Sequence, residues 1–286
     1  MEKMKISVIG GDSRQVYAAE ALRDDGLEVR LSGFDCFEAF SPSLAQISLE
    51  EALRADALLL PLPYTKNNKN IFAPFAQSPI ALGEIFESLQ SGQLVFIGNA
   101  DQKTMAKIEL HGARAYDYFK DEALTQYNAR LTAEGLVGLV IHHLPVGLLN
   151  ARIAVVGYGR IADHTAMLLQ SCGAKLTVFA RSPVQLAKAA AKGYITSGLP
   201  FRISENDRFD CVINTVPAQL LTKEALLPLN RDCLLIEAAS APYGIDFDAA
   251  SVMGFAVCKA FSLPGKVSPK SAGAAIAKTI IGKIRR

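Results

Sequence analysis

Short apolar runs alternate along the chain with longer segments in which apolar positions recur every three or four residues. Runs of the first kind predict buried β-strands, and periodicity of the second kind predicts helices. Over the first part of the chain the predicted strands are 6–9, 28–31, 57–61 and 93–99, and the predicted helices are 15–25, 48–55 and 101–111. Such regular alternation is typical of a parallel sheet with helices on both faces.

The rest of the chain repeats this pattern after one long helix. A continuous helical pattern runs from Asp121 to His143 and ends before Pro145. Beyond it, strands are predicted at 152–156, 175–180, 210–214, 233–237 and 255–258, and helices at 160–172 and 183–192. A Pro/Gly-containing turn then leads into a final helix that ends at Ile284, with Ser268 as its cap.

Length and composition bear on the number of domains. The chain has 286 residues, of which 50% are hydrophobic, and this is enough material for two packed cores. We therefore predict an α/β protein made of two Rossmann-like, doubly wound parallel-sheet domains with a cleft between them. Residues 1–125 would form a substrate-side domain, and residues 126–264 would form the nucleotide-binding domain.

The balance of charges argues against nucleic acid or a membrane surface as a partner, because 30 basic and 28 acidic side chains leave a formal net charge of +2. No apolar run approaches the ~20 residues of a membrane span, and the N-terminus lacks the apolar core of a signal peptide. The five cysteines are scattered, as in a reduced cytoplasmic protein. The adjacent His142 and His143 point about 100° apart on a helix, so no metal site is expected.

Residues 153–162 carry the clearest chemistry, since a strand breaks there into Gly157 and Gly159 and then continues as a helix. In a dinucleotide-binding turn the first glycine makes the turn, the second lets the backbone approach the pyrophosphate, and the helix N-terminus holds the negative charge. Ala162 in the third position still permits close packing of helix and strand. The pair Gly10-Gly11 after the first strand does not match this fingerprint. The predicted cofactor-binding residues of the turn are Gly157, Gly159, Arg160 and Ile161.

The end of the next strand bears on the choice of nicotinamide. An NAD site places an acidic residue roughly twenty residues after the turn to accept from the ribose hydroxyl, whereas an NADP site lacks it and supplies cations. Here Arg181 and Ser182 occupy that place. A guanidinium can hold a 2′-phosphate with two charge-assisted hydrogen bonds. We therefore predict NADP rather than NAD, with an ordinary surface arginine as the alternative.

Two further strand ends would lie beside the nicotinamide half of this cofactor. Their predicted contact residues are Thr215, Val216 and Pro217 after one strand and Ala239 and Ser240 after the next. Both segments are equally consistent with plain strand-ending turns.

The residues that can face the nicotinamide are cationic and polar. A hydroxyacid dehydrogenase needs an imidazole acid/base held by a carboxylate, and no histidine follows His164. Arg14, Lys266 and Lys270 together suit an anionic, polycarboxylate small molecule. The candidate substrate-binding residues are Asp12, Arg14, Gln15, Thr132 and Lys270, and the candidate catalytic residues are Asn128, Glu134 and Lys266.

These motifs resemble one family, the A subunit of dipicolinate synthase from spore-forming Firmicutes and their relatives. The resemblance covers nearly the whole chain. It rests on Ile9–Gln15, Asn128–Gly135, Gly157–Arg160, Ala180–Ser182, Asn214–Pro217 and Leu263–Gly273. The chain departs from the family pattern at Ala241, where the family carries an arginine.

The resemblance implies a two-domain enzyme built like a formate or D-2-hydroxyacid dehydrogenase, whose C-terminal helix, residues 265–286, packs back on the first domain. It also implies oxidation of a dihydrodipicolinate-type cyclic dicarboxylate, or its hydrated precursor, to dipicolinate during spore formation, with a nicotinamide as hydride acceptor. A flavoprotein-like B subunit would work with it, and we also expect a homo-oligomer. The alternatives are a D-2-hydroxyacid dehydrogenase and a non-catalytic NADP-binding subunit.

Overall fold

The computed structural model describes residues 3–38, 44–203 and 207–285. The chain divides into two compact units. The first unit comprises Met1–Asn128 together with Pro264–Arg286, and the second unit comprises Ala129–Leu263. Small parts of the predicted domains lie outside the described residues, namely 1–2, 39–43, 204–206 and the last residue of the predicted C-terminal helix, Arg286.

The first unit is built on a six-stranded sheet. Its strands are β1 (Lys5–Ile9), β2 (Glu28–Ser32), β3 (Ala45–Gln46), β4 (Ala57–Leu59), β5 (Leu94–Ile97) and β6 (Arg114–Asp117). Their order across the sheet is β3-β2-β1-β4-β5-β6, and all the pairings are parallel. The helices of this part are α1 (Ser13–Asp24), α2 (Leu49–Ala52), α3 (Leu82–Glu87) and α4 (Gln102–Leu110), with a 3-10 helix at Tyr118–Lys120.

Helix α5 (Glu122–His143) follows, and the boundary between the two units falls within it. The second unit has a second six-stranded sheet. Its strands are β7 (Arg152–Val156), β8 (Lys175–Ala180), β9 (Ile195–Gly198), β10 (Cys211–Asn214), β11 (Leu234–Glu237) and β12 (Val257–Lys259). Its further helices are α6 (Arg160–Ser171), α7 (Pro183–Ala191), α8 (Lys223–Leu226) and α9 (Phe247–Val252).

Both sheets have the topology of a doubly wound fold. The order of the second sheet is β12-β11-β10-β7-β8-β9, again with parallel pairings. Counted within each unit, the strand order is 3-2-1-4-5-6, in which the chain reverses direction across the sheet between the first and fourth strands. The predicted fold class of two parallel-sheet α/β domains is therefore confirmed.

Side chains of each sheet alternate between two cores, because successive residues of a strand point to opposite faces. In the first unit Val8 and Leu59 pack into one cluster, whereas their chain neighbours Ile9 and Leu58 pack into another. In the second unit the clusters formed around β7 divide neighbouring residues in the same way. Strands buried on both faces read as continuous apolar runs, and this is why the sequence pattern located them.

The C-terminal segment returns to the first unit as α10 (Leu263–Val267) and α11 (Pro269–Ile284). Helix α11 packs on α1 through small and apolar side chains. Its buried residues are Ala272, Gly273, Ile276, Ala277 and Ile280. At Gly273 a Cβ atom would lie 2.4 Å from the carbonyl oxygen of Arg14 and 2.8 Å from the backbone nitrogen of Ala18. The two helices therefore touch backbone to backbone at this point.

Short elements are where the sequence prediction was incomplete. The unpredicted ones are β3, α3, β6, the 3-10 helix, β9, α8, α9 and α10. Strands β3, β6 and β9 lie at sheet edges and keep exposed side chains, so they show no apolar run. The short helices have four to six residues, too few to display a helical period. The prediction of a turn before the final helix is wrong for residues 263–267, because they form α10.

Gly273→Ala is expected to destabilise the first unit by about 1–3 kcal/mol, the usual cost of forcing atoms into a packed contact. The atoms that a methyl group would meet are backbone atoms of α1, which cannot move aside. Urea unfolding followed by circular dichroism would measure the difference in the free energy of unfolding.

Gly282→Ala on the same helix is the matched control. Apart from its chain neighbours and the backbone of its own helix turn, no described residue has an atom within 4 Å of the added Cβ, and alanine favours a helix over glycine by up to about 1 kcal/mol. Equal stabilities of the two variants would contradict the close packing of α11 on α1.

Candidate functional site

The chain leaves β7 through a turn that requires glycine. Gly157 has a φ of +95°, a region that L side chains rarely adopt. Its N–H donates to the carbonyl oxygen of Phe179 at 2.7 Å, and a Cβ atom at Gly157 would lie 2.4 Å from Thr215 Oγ1. The ends of β7, β8 and β10 therefore converge on this turn.

The N-terminus of α6 behind this turn is open to an anion. Gly159 is the N-cap and has no side chain to bond the first N–H groups. Apart from its chain neighbours, no described residue has an atom within 4 Å of where its Cβ would be. The helix is 12 residues long, and its first N–H groups carry the partial positive charge of the helix dipole. Arg160, which is exposed, and Ile161, which is half-buried, form the first turn. A phosphate or pyrophosphate suits this position.

An acidic side chain near the same helix start is balanced by the protein's own groups. Asp163 Oδ1 accepts a hydrogen bond from the hydroxyl of Tyr158 at 2.8 Å and another from the ammonium of Lys192. Burial pushes the pKa of Asp163 up, but the hydrogen bonds from Lys192 and Tyr158 outweigh it and hold the pKa below its usual value. The negative charge of Asp163 is thus paired with Lys192 and does not stand alone against a bound anion.

Arg181 and Ser182 lie at the carboxyl end of β8, beside the glycine turn. Strands β7 and β8 pair in parallel with Val156 opposite Phe179, so both strands end at the same edge. The Arg181 side chain is exposed and, within the described part of the chain, has no hydrogen bond or ion pair. Ser182 is the N-cap of α7, but its hydroxyl makes no capping hydrogen bond. Both side chains are available to a ligand.

The segment after β10 forms the wall of the glycine turn. Thr215 Oγ1 donates to the carbonyl oxygen of Val156 at 2.9 Å, so its proton is engaged while its oxygen can still accept. The Cγ2 atom of Val216 would lie 2.7 Å from a Cβ atom at Gly157. Pro217 is exposed. Contact between these three residues and a cofactor stays a prediction.

Two polar residues that the sequence analysis did not select hold the ends of β10 and β11 together. Asn214 and Glu237 lie opposite each other in the parallel register, and both are fully buried. Asn214 Nδ2 donates to Glu237 Oε1 at 2.7 Å, and the N–H of Ala239 donates to the same oxygen at 2.9 Å. The N–H of Ala239 is therefore taken, whereas Ser240 is exposed. A polar residue at the last position of two neighbouring apolar runs was the signal for this pair.

The corresponding helix N-terminus of the first unit is filled by the protein's own anion. Asp12 is the N-cap of α1, and its Oδ1 accepts from the backbone N–H of Arg14 at 3.1 Å. The Arg14 guanidinium holds the same carboxylate with two bonds of 2.8 Å and also donates to the carbonyl oxygen of Leu62. Arg14 is only 4% exposed. Its charge, which we predicted to meet a substrate carboxylate, is already paired with Asp12.

Gln15 supports this turn from inside. It is fully buried, and its Nε2 donates to the hydroxyl of Tyr118 over 3.5 Å. Its Oε1 has no hydrogen-bond partner among the described residues. Gly11, with a φ of +110°, passes so close that a Cβ atom there would lie 2.6 Å from Gln15 Cγ. A fully buried amide packs under the backbone, so its predicted contact with substrate has no support in this geometry.

The segment before α11 lies against the ion pair of Asp12 and Arg14. At Gly265 a Cβ atom would lie 2.7 Å from Asp12 Oδ2, so glycine allows α10 to approach. Lys266 follows and is exposed. Lys270 instead lines a groove of about 860 Å³ formed by the start of α5 and one face of α11. Of the three cations predicted to bind substrate together, Arg14 is therefore paired with Asp12. Lys266 and Lys270 are exposed, but they lie in different surroundings.

The three candidate residues on α5 do not share one face. Asn128 and Thr132 are four residues apart and lie on the same side of the helix, where Thr132 is 7% exposed. Glu134 points elsewhere, is exposed, and accepts from Arg130 Nε at 2.9 Å. The carboxylate of Glu134 is therefore already engaged by a side chain of its own helix.

Two kinds of feature are missing from the described residues. No group of three or more His, Cys, Asp or Glu side chains there can hold a metal ion. Among the helices formed by the same residues, none has the length and hydropathy needed to cross a membrane.

Comparison with known proteins identifies the relatives of this arrangement. Residues 5–119 match the family model for the N-terminal domain of the dipicolinate synthase A subunit. The dipicolinate synthase A subunit of Bacillus subtilis (strain 168) is 27% identical over 284 residues, which cover 97% of this chain and 94% of that protein. The crystal structure of the dipicolinate synthase A subunit from Bacillus halodurans superposes with a TM-score of 0.86 at 26% identity, covering 99% of this chain and 98% of that one.

The resemblance to the A subunit of dipicolinate synthase is confirmed. It extends over nearly the whole length of both chains, as the motifs at the two ends of the sequence indicated. More distant likeness is limited to the fold. A transhydrogenase from Sinorhizobium meliloti superposes with a TM-score of 0.68 at 15% identity, covering 98% of this chain and 93% of that one.

Asp12→Ala is expected to destabilise the first unit by about 3–5 kcal/mol, because it leaves the guanidinium of Arg14 buried without its partner. The side chains of this pair are 5% and 15% exposed for Arg14 and Asp12. Chemical unfolding would measure the loss of stability.

Arg54→Ala provides the comparison, since Arg54 and Glu50 form an ion pair on the surface with side chains 69% and 81% exposed. Such pairs contribute about 1 kcal/mol or less. A loss in Asp12→Ala no larger than the loss in Arg54→Ala would contradict the buried character of the Asp12–Arg14 pair.

Proposed function

We propose that this chain is the NADP-binding redox subunit of a dipicolinate synthase, which oxidises a dihydrodipicolinate-type cyclic dicarboxylate to dipicolinate. The observation that carries the cofactor assignment is the open N-terminus of α6 together with Arg181 at the end of β8, whose side chain is not engaged by any residue that the structure describes. The similarity to the A subunit of dipicolinate synthase over 97% of the chain supports the choice of reaction.

The residues of the second unit suit the parts of NADP in order along the sheet edge. The first N–H groups of α6 suit the pyrophosphate, because the cap at Gly159 has no side chain to occupy them. Arg181 and Ser182 suit the 2′-phosphate, which an acidic residue would repel. The nicotinamide is then left with the ends of β10 and β11, where Thr215 offers an acceptor oxygen and Ser240 is exposed.

The proposed oxidation requires little general acid–base catalysis from the protein. A bound nicotinamide would supply the hydride acceptor, and the dihydropyridine ring, which would lose a hydride and a proton, would become the aromatic ring of dipicolinate. Gain of aromaticity drives this step, so no histidine is needed to activate an alcohol. The chain has to hold two carboxylates and align one ring carbon. Lys266 is exposed and follows Gly265, which lies against the Asp12–Arg14 pair, and it is our candidate for a carboxylate contact.

A non-catalytic, NADP-binding role is the second candidate, and one observation favours it. Arg14 and Glu134, both predicted to serve substrate or catalysis, are engaged in ion pairs within the chain. The named relatives are subunits, so in either case the partner that we propose is a second, flavoprotein-like B subunit. A D-2-hydroxyacid dehydrogenase has less support, since the chain has no histidine after His164.

Arg181→Ala is expected to weaken NADP binding roughly 10- to 100-fold and to leave NAD binding unchanged. A pair of charge-assisted hydrogen bonds to the 2′-phosphate contributes about 1.5–3 kcal/mol, and each 1.4 kcal/mol is about tenfold in affinity. Isothermal titration calorimetry with both nucleotides would measure the two affinities.

The control is Arg152→Ala, because Arg152 is exposed at the amino end of β7, the opposite edge of the same sheet. It should bind NADP as the wild type does. Tighter binding of NAD than of NADP by the wild type would overturn the assignment of Arg181. In the complex with the B subunit, dipicolinate formation that survives Arg181→Ala would favour the non-catalytic role.

Lys266→Ala is expected to lower kcat/KM for dihydrodipicolinate roughly tenfold, in line with the loss of one hydrogen bond to a charged group. NADP affinity is the second readout, and a contact with substrate alone predicts that it stays the same. Absorbance of the aromatic product, formed by the chain with its partner subunit, would report the rate. Lys175→Ala, which changes an exposed lysine at the amino end of β8, is the control. An unaltered kcat/KM in Lys266→Ala would refute the substrate contact.

A further inference from the structure

Glu237 is a fully buried carboxylate whose hydrogen-bond partners are neutral N–H groups. Oε1 accepts from Asn214 Nδ2 at 2.7 Å and from the N–H of Ala239 at 2.9 Å. Oε2 accepts from the N–H groups of Gly244 at 2.8 Å and Ile245 at 2.9 Å. Both oxygens act as acceptors, which is the pattern of an ionised carboxylate. Burying a charge is costly unless it is hydrogen-bonded, and here four N–H groups supply those bonds.

Three of these four bonds close one loop, residues 238–245, onto a single side chain, and the fourth ties that side chain to Asn214 at the end of β10. The loop leaves β11 at Ala238, and its far end is bonded back to Glu237 through the N–H groups of Gly244 and Ile245. The carbonyl oxygen of Gly244 in turn accepts from the N–H of Leu221 at 2.9 Å. A Cβ atom at Gly244 would lie 2.3 Å from Asn214 Nδ2, so the backbone of the loop packs directly against the Asn214 side chain. The path of the loop is therefore set by Glu237.

The hydrogen bonds to Glu237 hold a loop that contains an unfavourable backbone conformation. Tyr243, immediately before Gly244, has a φ of +64°, which is rare for a residue with a bulky side chain. Its ring stacks on Phe261 at 5.2 Å with an interplanar angle of 22°, and it meets Phe247 edge-on at 5.5 Å. Strained backbone persists only where the surroundings over-determine it, and it is concentrated at functional sites.

The position of the loop suggests what that function is. In a sheet with this strand order, dinucleotides lie along the carboxyl ends of the strands at the point where the order reverses, here between β7 and β10. The turn after β7 and the end of β8 suit the pyrophosphate and the adenosine 2′-phosphate. The ends of β10 and β11 on the other side remain for the nicotinamide half.

We propose that Glu237 is a positioning residue that preforms the loop 238–245 as the wall of the nicotinamide half of the cofactor site. It acts through the loop and does not itself touch the ligand. The inference rests on the proposed NADP-binding function and adds to it the residue that shapes one half of the site.

Two ligands separate this role from a general contribution to folding. NADP carries both halves of the cofactor, whereas 2′,5′-ADP carries the adenosine 2′-phosphate half without the nicotinamide. In Glu237→Gln an amide nitrogen replaces one acceptor and faces N–H donors, so the loop loses its closure. Calorimetry with the full-length chain should show NADP affinity reduced at least roughly tenfold and 2′,5′-ADP affinity within twofold of the wild type.

Glu237→Asp keeps the carboxylate with a side chain one methylene shorter, and it serves if the glutamine variant does not fold. It should lose part of the NADP affinity and none of the 2′,5′-ADP affinity. NADP binding like that of the wild type in both variants would overturn the proposal, as would equal weakening of the two ligands, which marks a merely structural residue. A wild-type chain that binds neither ligand would instead overturn the proposed function, and this inference with it.

Discussion

The close approach between Gly157 and the segment after β10 constrains the edge of the second sheet on which the candidate site lies. A positive φ and the 2.4 Å that would separate a Cβ atom from Thr215 Oγ1 leave room for glycine alone. Because the backbone turns so tightly there, α6 starts directly over the ends of β7, β8 and β10. The uncapped helix start, the exposed Arg181 and the buried Asn214–Glu237 pair thereby come to one edge, and each has a separate physical task.

The two units show how one topology supports different chemistry. Both sheets have the same strand order, and in both a helix follows the first strand after a glycine-containing turn. In the first unit the helix cap is Asp12, whose carboxylate fills the positive end of α1 and is itself neutralised by the buried Arg14. In the second unit the cap is Gly159, which leaves the positive end of α6 open. Asp163 lies in the first turn of α6 but is paired with Lys192, so this helix end suits an anionic ligand.

Most of the fold was predictable because its main strands are buried on both faces and its main helices run for nine residues or more. Edge strands such as β9 and single-turn helices such as α8 carry too little pattern to be seen. The candidate site divides in the same way. A glycine turn and an arginine at a strand end are local features, whereas the pairing of Arg14 with Asp12 depends on which of its possible partners the folded chain brings within reach.

The sequence by itself determined the two parallel-sheet domains, the position of the glycine turn after β7 and the resemblance to the dipicolinate synthase A subunit, since each rests on short-range periodicity or on contiguous motifs. Only the tertiary structure decided which charged side chains are still available. Glu134 lies on the helix surface bound to Arg130, and Gln15 is buried under the first turn. Glu237, which was not among the predicted site residues, accepts hydrogen bonds from Asn214 and from residues up to eight positions along the chain. Hydrogen bonds between residues distant in sequence depend on the full three-dimensional path of the backbone, and no local pattern records that path.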